Sequence, residues 1–189
     1  MYLLDSSAII TPFHGAQCDS LSLVLGHKSR KETYAWLERW YEYGFLSGNL
    51  AICQEVYDEV TKESKGLRRE RDLMINFNSK DIIKFLKIEK EGFDVLKSIN
   101  EFVKNNYESH QAHGFLTKPD PIVIAMAKVH NTILVVEEHH FIPARNGGNG
   151  LIMGAVKIPF VAAAFGVKCV SIMGVMLAEH RDWGTTLGE

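Results

Sequence analysis

The chain is poor in several things, and each shortage excludes a class of protein. It has only three cysteines, Cys18, Cys53 and Cys169. An odd, scattered set without a CxxC pair is neither a disulfide framework nor a structural zinc site, and it fits small buried thiols in a reducing cytoplasm. Net charge is almost absent, at -2, so no global field draws the chain to a polyanion and any nucleic-acid surface has to be a local basic patch. A clean membrane span is also lacking. The longest apolar stretch, Leu151 to Ala178, is interrupted by Lys157 and Lys168 and broken by Pro159 and Gly166, so it reads as buried core and no membrane contact is expected. The opening MYLLDSSA has no basic n-region and reaches Asp5 at once, which argues against a signal peptide. Without internal repeats or low-complexity blocks, neither a solenoid nor a disordered tail is indicated.

What remains is ordinary globular composition: 46% hydrophobic and 23% charged residues over 189 positions. This is enough for one sizeable core, and residues 1–189 read as a single domain. Tyr2-Leu3-Leu4 predicts a short buried strand, and residues 11–30, without period, a loop holding at most a helical turn. Tyr34, Trp36, Leu37, Trp40 and Tyr41 form one face of a helix from Lys31 to Tyr43 that Gly44 stops. A strand at Leu50–Cys53 leads into an acidic helix from Gln54, with Val56 and Val60 facing inward. Helical patterns follow at about 79–88 and 91–107. Lys118-Pro119-Asp120-Pro121 predicts a helix start with Asp120 at the N-cap and Pro121 first in the helix. Thr132–Val136 is a strand buried on both faces, Pro159–Phe165 a short helix ended by Gly166, and Lys168–Met173 a last strand. Alternation of this kind predicts an α/β fold, a parallel sheet of about four or five strands between helices in three α/β/α layers, with all strand C-termini on one edge.

Acids gather at that edge: Asp5 after the first strand, Glu55 and Glu59 in the helix after the second, Asp120 at a helix start, and Glu137 and Glu138 after a later strand. Carboxylates brought together repel unless they take up protons or surround a cation, and hard oxygen donors select magnesium or manganese. Each acid has a competing local explanation. Asp120 is a common kind of helix cap, and Asp5 could be a turn former. Glu55 and Glu59 are a like-charge pair one turn apart that Lys62 could relieve. Strand alternation sends Glu137 and Glu138 to opposite faces, so at most one joins a cluster. The densest basic stretch, Lys62, Lys65, Arg68, Arg69 and Arg71, reads either as a nucleic-acid contact or as a solvated helix face.

Four blocks carry a resemblance: Leu3-Leu4-Asp5-Ser6-Ser7, Ile52-Cys53 through Glu59-Val60, Pro119-Asp120-Pro121 with Ile124-Ala125-Met126-Ala127, and Leu134-Val135-Val136-Glu137-Glu138. Any one is weak, but four in this order are hard to obtain by chance. Together they resemble the PIN-domain family, and more closely a PIN-like subgroup with a longer helical insert. The closing Lys157-Ile158-Pro159 and Ala164-Phe165-Gly166-Val167-Lys168-Cys169 resemble the end of that subgroup. Two departures are a Glu at the fourth acidic position, where many relatives have Asp, and Val136, where a Thr or Ser is usual.

The resemblance implies a ribonuclease using one or two Mg2+ or Mn2+ ions and in-line displacement that leaves a 5′-phosphate. Its ligand pattern maps to Asp5, Glu59, Asp120 and Glu138. Ser7 would hold Asp5, with Glu55 and Glu137 as accessory candidates, and the stretch from Lys62 to Arg71 would contact RNA. Many small PIN proteins are toxins of type II toxin–antitoxin pairs, so an antitoxin filling the cleft is an implied partner. Trp36 and Trp40 would serve a homodimer or partner surface if they do not serve the core. The alternatives are a catalytically silent PIN-like binding module and a haloacid-dehalogenase-type phosphoryl-transfer enzyme. The latter needs an Asp where this chain has Ser7.

Overall fold

The computed structural model describes residues 1–62, 69–138, 143–145, 148 and 150–184, with side chains as far as Glu179. Five short strands form its centre: β1 (Tyr2–Leu4), β2 (Leu50–Cys53), β3 (Phe85–Leu86), β4 (Ile133–Val135) and β5 (Cys169–Val170). All pair in parallel in the order β3-β2-β1-β4-β5. Helices α1 (Ser6–Ile10), α2 (Gly15–Leu25), α3 (Arg30–Leu46), α4 (Gln54–Thr61), α5 (Arg69–Ser79), α6 (Lys90–Asn106), α7 (Ser109–Leu116), α8 (Asp120–Val129), α9 (Ile158–Ala164) and α10 (Ile172–Gly184) flank it, as a three-layer α/β/α fold requires.

The strands are apolar throughout because a parallel sheet is covered on both faces. Leu3, Leu4, Leu50, Ala51, Ile52, Cys53, Leu134 and Val135 are all at 0% exposure. Register brings Leu4 opposite Val135, and the Asp5 N–H continues the ladder to the Val135 carbonyl at 3.0 Å. The chain begins at the centre of the sheet, winds outward through β2 and β3, and then crosses to the other side of β1 for β4 and β5. The strand order therefore reverses between β1 and β4, and open α/β sheets offer a crevice at such a switch point, outside the strand C-termini.

Several sequence expectations change. Residues 11–30 hold a 3-10 turn at Thr11–Phe13 and all of α2. That helix shows no usable period because it buries only Cys18 and Leu21 while Leu23 is 83% exposed. Gly44 does not stop α3. It lies buried inside a helix that runs on to Leu46. Residues 79–88 are not a helix: α5 ends at Ser79, Asp81 turns the chain at φ 56, and Phe85–Leu86 pairs with Ile52 and Cys53. The last strand is only Cys169–Val170, and Met173 belongs to α10. Trp36 and Trp40 are buried in the core cluster, so they present no partner surface. Gly166, at φ 70, follows α9 in a left-handed conformation that favours glycine. Among the described residues no helix is long and apolar enough to cross a membrane.

Candidate functional site

Asp5 is the residue at which β1 becomes α1. It caps that helix, its Oδ2 accepting the Ser7 N–H at 3.2 Å and the Ser7 hydroxyl at 2.7 Å. The Ser7 oxygen in turn accepts the Glu137 N–H at 3.0 Å, so one hydroxyl joins the ends of β1 and β4. Asp5 is only 4% exposed. Burial raises its pKa, the Ser6 and Ser7 hydrogen bonds oppose the rise, and the charge of Glu59 adds to it.

Asp120 does not cap its helix. Pro119 occupies the N-cap, Asp120 is the first residue of α8, and no side chain caps this end. Proline after Asp120 is compatible with either register, so the sequence placed the start one residue late. The carboxyl is half-buried and makes no hydrogen bond among the described residues. Burial pushes it up to about 7, followed by the charge of Asp5, against the opposing pull of Lys118 and with further push from Glu138 and Glu59. A helix N-terminus ordinarily favours a negative charge, so burial first, and the acids around Asp120 with it, outweigh that preference.

Glu59 is exposed on α4, and its carboxylate has no hydrogen-bond partner among the described residues. Glu138 is more constrained, with Oε2 accepting the Ile158 N–H at 2.8 Å and Oε1 the Lys157 ammonium at 3.3 Å. The Cys169 thiol reports the same neighbourhood: burial and the charges of Glu138 and Asp5 push it up to about 12. The accessory candidates turn elsewhere. Glu137 accepts the Ile172 N–H at 2.6 Å. Its charge adds to the burial that raises the Tyr41 hydroxyl. Glu55 faces the Cys53 thiol, which burial first and Glu55 with it push up to about 12. Among the described residues no ion pair joins Lys62 to Glu55 or Glu59.

Asp5, Glu59 and Glu138 thus come from three distant stretches into electrostatic reach of Asp120, and Asp5 lies within reach of Glu59 as well. Their oxygens suit magnesium or manganese in chemistry. As placed, no three His, Cys, Asp or Glu side chains among the described residues stand close enough to hold one ion. Two of the four are held by other partners, Glu138 by Lys157 and Ile158 and Asp5 by Ser7.

The basic stretch fares differently. Lys62 is exposed at the end of α4. Arg69 pairs with Glu38 at 3.1 Å and stacks over Tyr34 at 4.6 Å, and Arg71 pairs with Asp72 at 3.1 Å. Lys65 and Arg68 lie outside the described residues, as do His139 and His140. A cavity of about 290 Å³ opens beside the acids, with Lys118, Asp120, Glu138 and Lys157 in its wall. Two larger cavities, of about 550 and 490 Å³, have none of the four acids in theirs. Sequence reasoning passed over Lys118 and Lys157 as site residues. Lys157 carried a signal, since a lysine at the N-cap of a helix has the wrong sign for that end unless an acid meets it.

Residues 31–183 match the family described as Domain of unknown function (DUF4411). No curated protein and no solved structure matches the chain.

Proposed function

We propose that this chain, which belongs to the DUF4411 family, is a magnesium- or manganese-dependent nuclease that hydrolyses phosphodiester bonds of RNA. The observation that carries the reading is Asp120, a half-buried carboxyl without a hydrogen bond among the described residues, pushed up to about 7 by burial and by Asp5, Glu138 and Glu59. Acids so arranged cost stability unless a positive charge joins them, and active sites are where such costs are retained. The resemblance to PIN nucleases supports RNA as the substrate and the cytoplasm as the compartment, where such toxins meet their antitoxins.

Asp5 and Asp120 are the principal ligands in this reading, with Ser7 fixing the Asp5 carboxylate. A bound ion supplies charge for the phosphodiester oxygens and a more acidic water. Glu59, exposed and unengaged, accepts the proton of an attacking water at its carboxylate. Glu138 completes the donor set once it leaves Lys157.

A second reading has its own support: the closed Glu138–Lys157 pair and the absence of three close donors among the described residues favour a silent binding module. Calorimetric titration with Mn2+ and cleavage of single-stranded RNA separate the two. The nuclease binds Mn2+ at micromolar concentration and yields 5′-phosphate ends, and Asp5→Asn and Asp120→Asn lose both. Cleavage by Asp120→Asn at the wild-type rate, or no Mn2+ uptake by the wild type, overturns the nuclease reading.

A further inference from the structure

In the cavity beside Asp120 and Glu138 two lysines converge from separate parts of the fold. Lys118 lies just ahead of α8 and Lys157 is the N-cap residue of α9. The ammonium of Lys157 rests on Glu138 Oε1 at 3.3 Å, and its side chain keeps 37% of its exposure. Lys118 is exposed and forms no ion pair among the described residues. The wall is therefore of mixed sign. In the cation-free chain the acids repel an anion and Glu138 occupies Lys157; with the acids neutralised, both ammonium groups are left facing the cavity. Gln111 adds amide donors and an acceptor, and Val156 and Phe115 add apolar surface. At about 290 Å³ the space lies at the small end of ligand cavities.

We infer that this cavity is the subsite for one nucleotide of the RNA strand, whose phosphate Lys118 and Lys157 hold. The substrate class rests on the nuclease reading above. The placement moves RNA contact away from the stretch between Lys62 and Arg71, where Arg69 and Arg71 already face Glu38 and Asp72. Point charges on flexible stems suit phosphate oxygens, and a phosphate held there lies against Asp120 and Glu138.

The test needs no metal. In Asp120→Asn/Glu138→Gln the acid charge is removed while Gln keeps an acceptor for the Ile158 N–H, so adenosine 5′-monophosphate binds without added cation. Adding Lys118→Gln or Lys157→Gln weakens it at least about tenfold, as losing a charge-assisted hydrogen bond does. Arg69→Gln/Arg71→Gln changes nothing, and inorganic phosphate binds more weakly than the nucleotide. No binding, or binding that survives loss of both lysines, overturns the inference; equal affinity for inorganic phosphate overturns the assignment to a nucleotide. If circular dichroism shows the acid-free variant unfolded, the same titration on wild type with Mn2+, against Lys118→Gln/Lys157→Gln, carries the test with the same outcomes. Mn2+ uptake by the wild type is read separately: its absence beside intact nucleotide binding sinks the nuclease reading and leaves the subsite standing.

Discussion

Ser7 Oγ donates to Asp5 Oδ2 across 2.7 Å while accepting the Glu137 N–H at 3.0 Å. Ser7→Ala removes both bonds, leaving the Glu137 N–H without its partner and Asp5 with fewer donors. A loss of about 1–3 kcal/mol in urea unfolding is expected. Because the hydroxyl orients a ligand, Mn2+ affinity falls at least about tenfold. A variant with unchanged stability and unchanged Mn2+ affinity would show that the hydroxyl does neither task.

Asp120 titrates near 7 in the folded chain against 3.8 for the ordinary carboxyl. Between those values the folded state holds a proton that the unfolded state has released, so stability falls as pH rises through this window and the cost is complete above about 7. Asp5, raised in the same direction, adds to the effect. Asp120→Asn therefore gains stability over wild type at pH 8 but not at pH 4, by about 1–3 kcal/mol once partial solvation is allowed for. Denaturant melts at the two pH values check it, and Mn2+ at pH 8 should recover the loss in wild type alone.

Glu70 is buried at 1% exposure, and its described partner is His14, 3.0 Å away and half-exposed. Its second oxygen meets no hydrogen-bond partner among the described residues. Taking away His14 leaves an uncompensated buried carboxyl, so His14→Ala costs about 1–3 kcal/mol. Glu70→Met added to it recovers most of that. Thermal melts of the two single variants and the double variant, compared as a cycle, give the coupling.

Gly166 follows α9 at φ 70. Alanine there has room, its Cβ meeting only Lys128 Nζ at 3.7 Å, so the cost is backbone strain of about 1 kcal/mol. Equilibrium unfolding measures it. A loss of several kcal/mol would point to a packing clash instead.

The elements legible in the chain were those whose signal is local and strong. Leu50–Cys53 and Thr132–Val136 read as strands because burial on both faces makes them apolar without alternation. The helix at Tyr34 to Tyr41 read through its three- and four-residue spacing. Phe85–Leu86 was not legible, since a two-residue strand exists only through its neighbours Ile52 and Cys53, and its apolar residues fit a helical period as well. At the site, Glu137 and Glu138 lie past the end of β4 and take different partners, which strand alternation does not reach. The Glu138–Lys157 pair joins side chains 19 positions apart, and no periodicity reports such a contact.

By itself the sequence determined the alternation of strand and helix, the burial of the sheet, and where along each element an acid falls. These follow from side-chain periodicity and the cost of burying charge, both felt within a few residues. Only the tertiary structure decided that β1 lies between β2 and β4, that the charge of Asp5 therefore helps to raise the pKa of Asp120, and that Lys118 and Lys157 meet in one cavity with Asp120 and Glu138. Strand order is a choice among distant pairings of similar local energy, so it is settled by how the whole core packs.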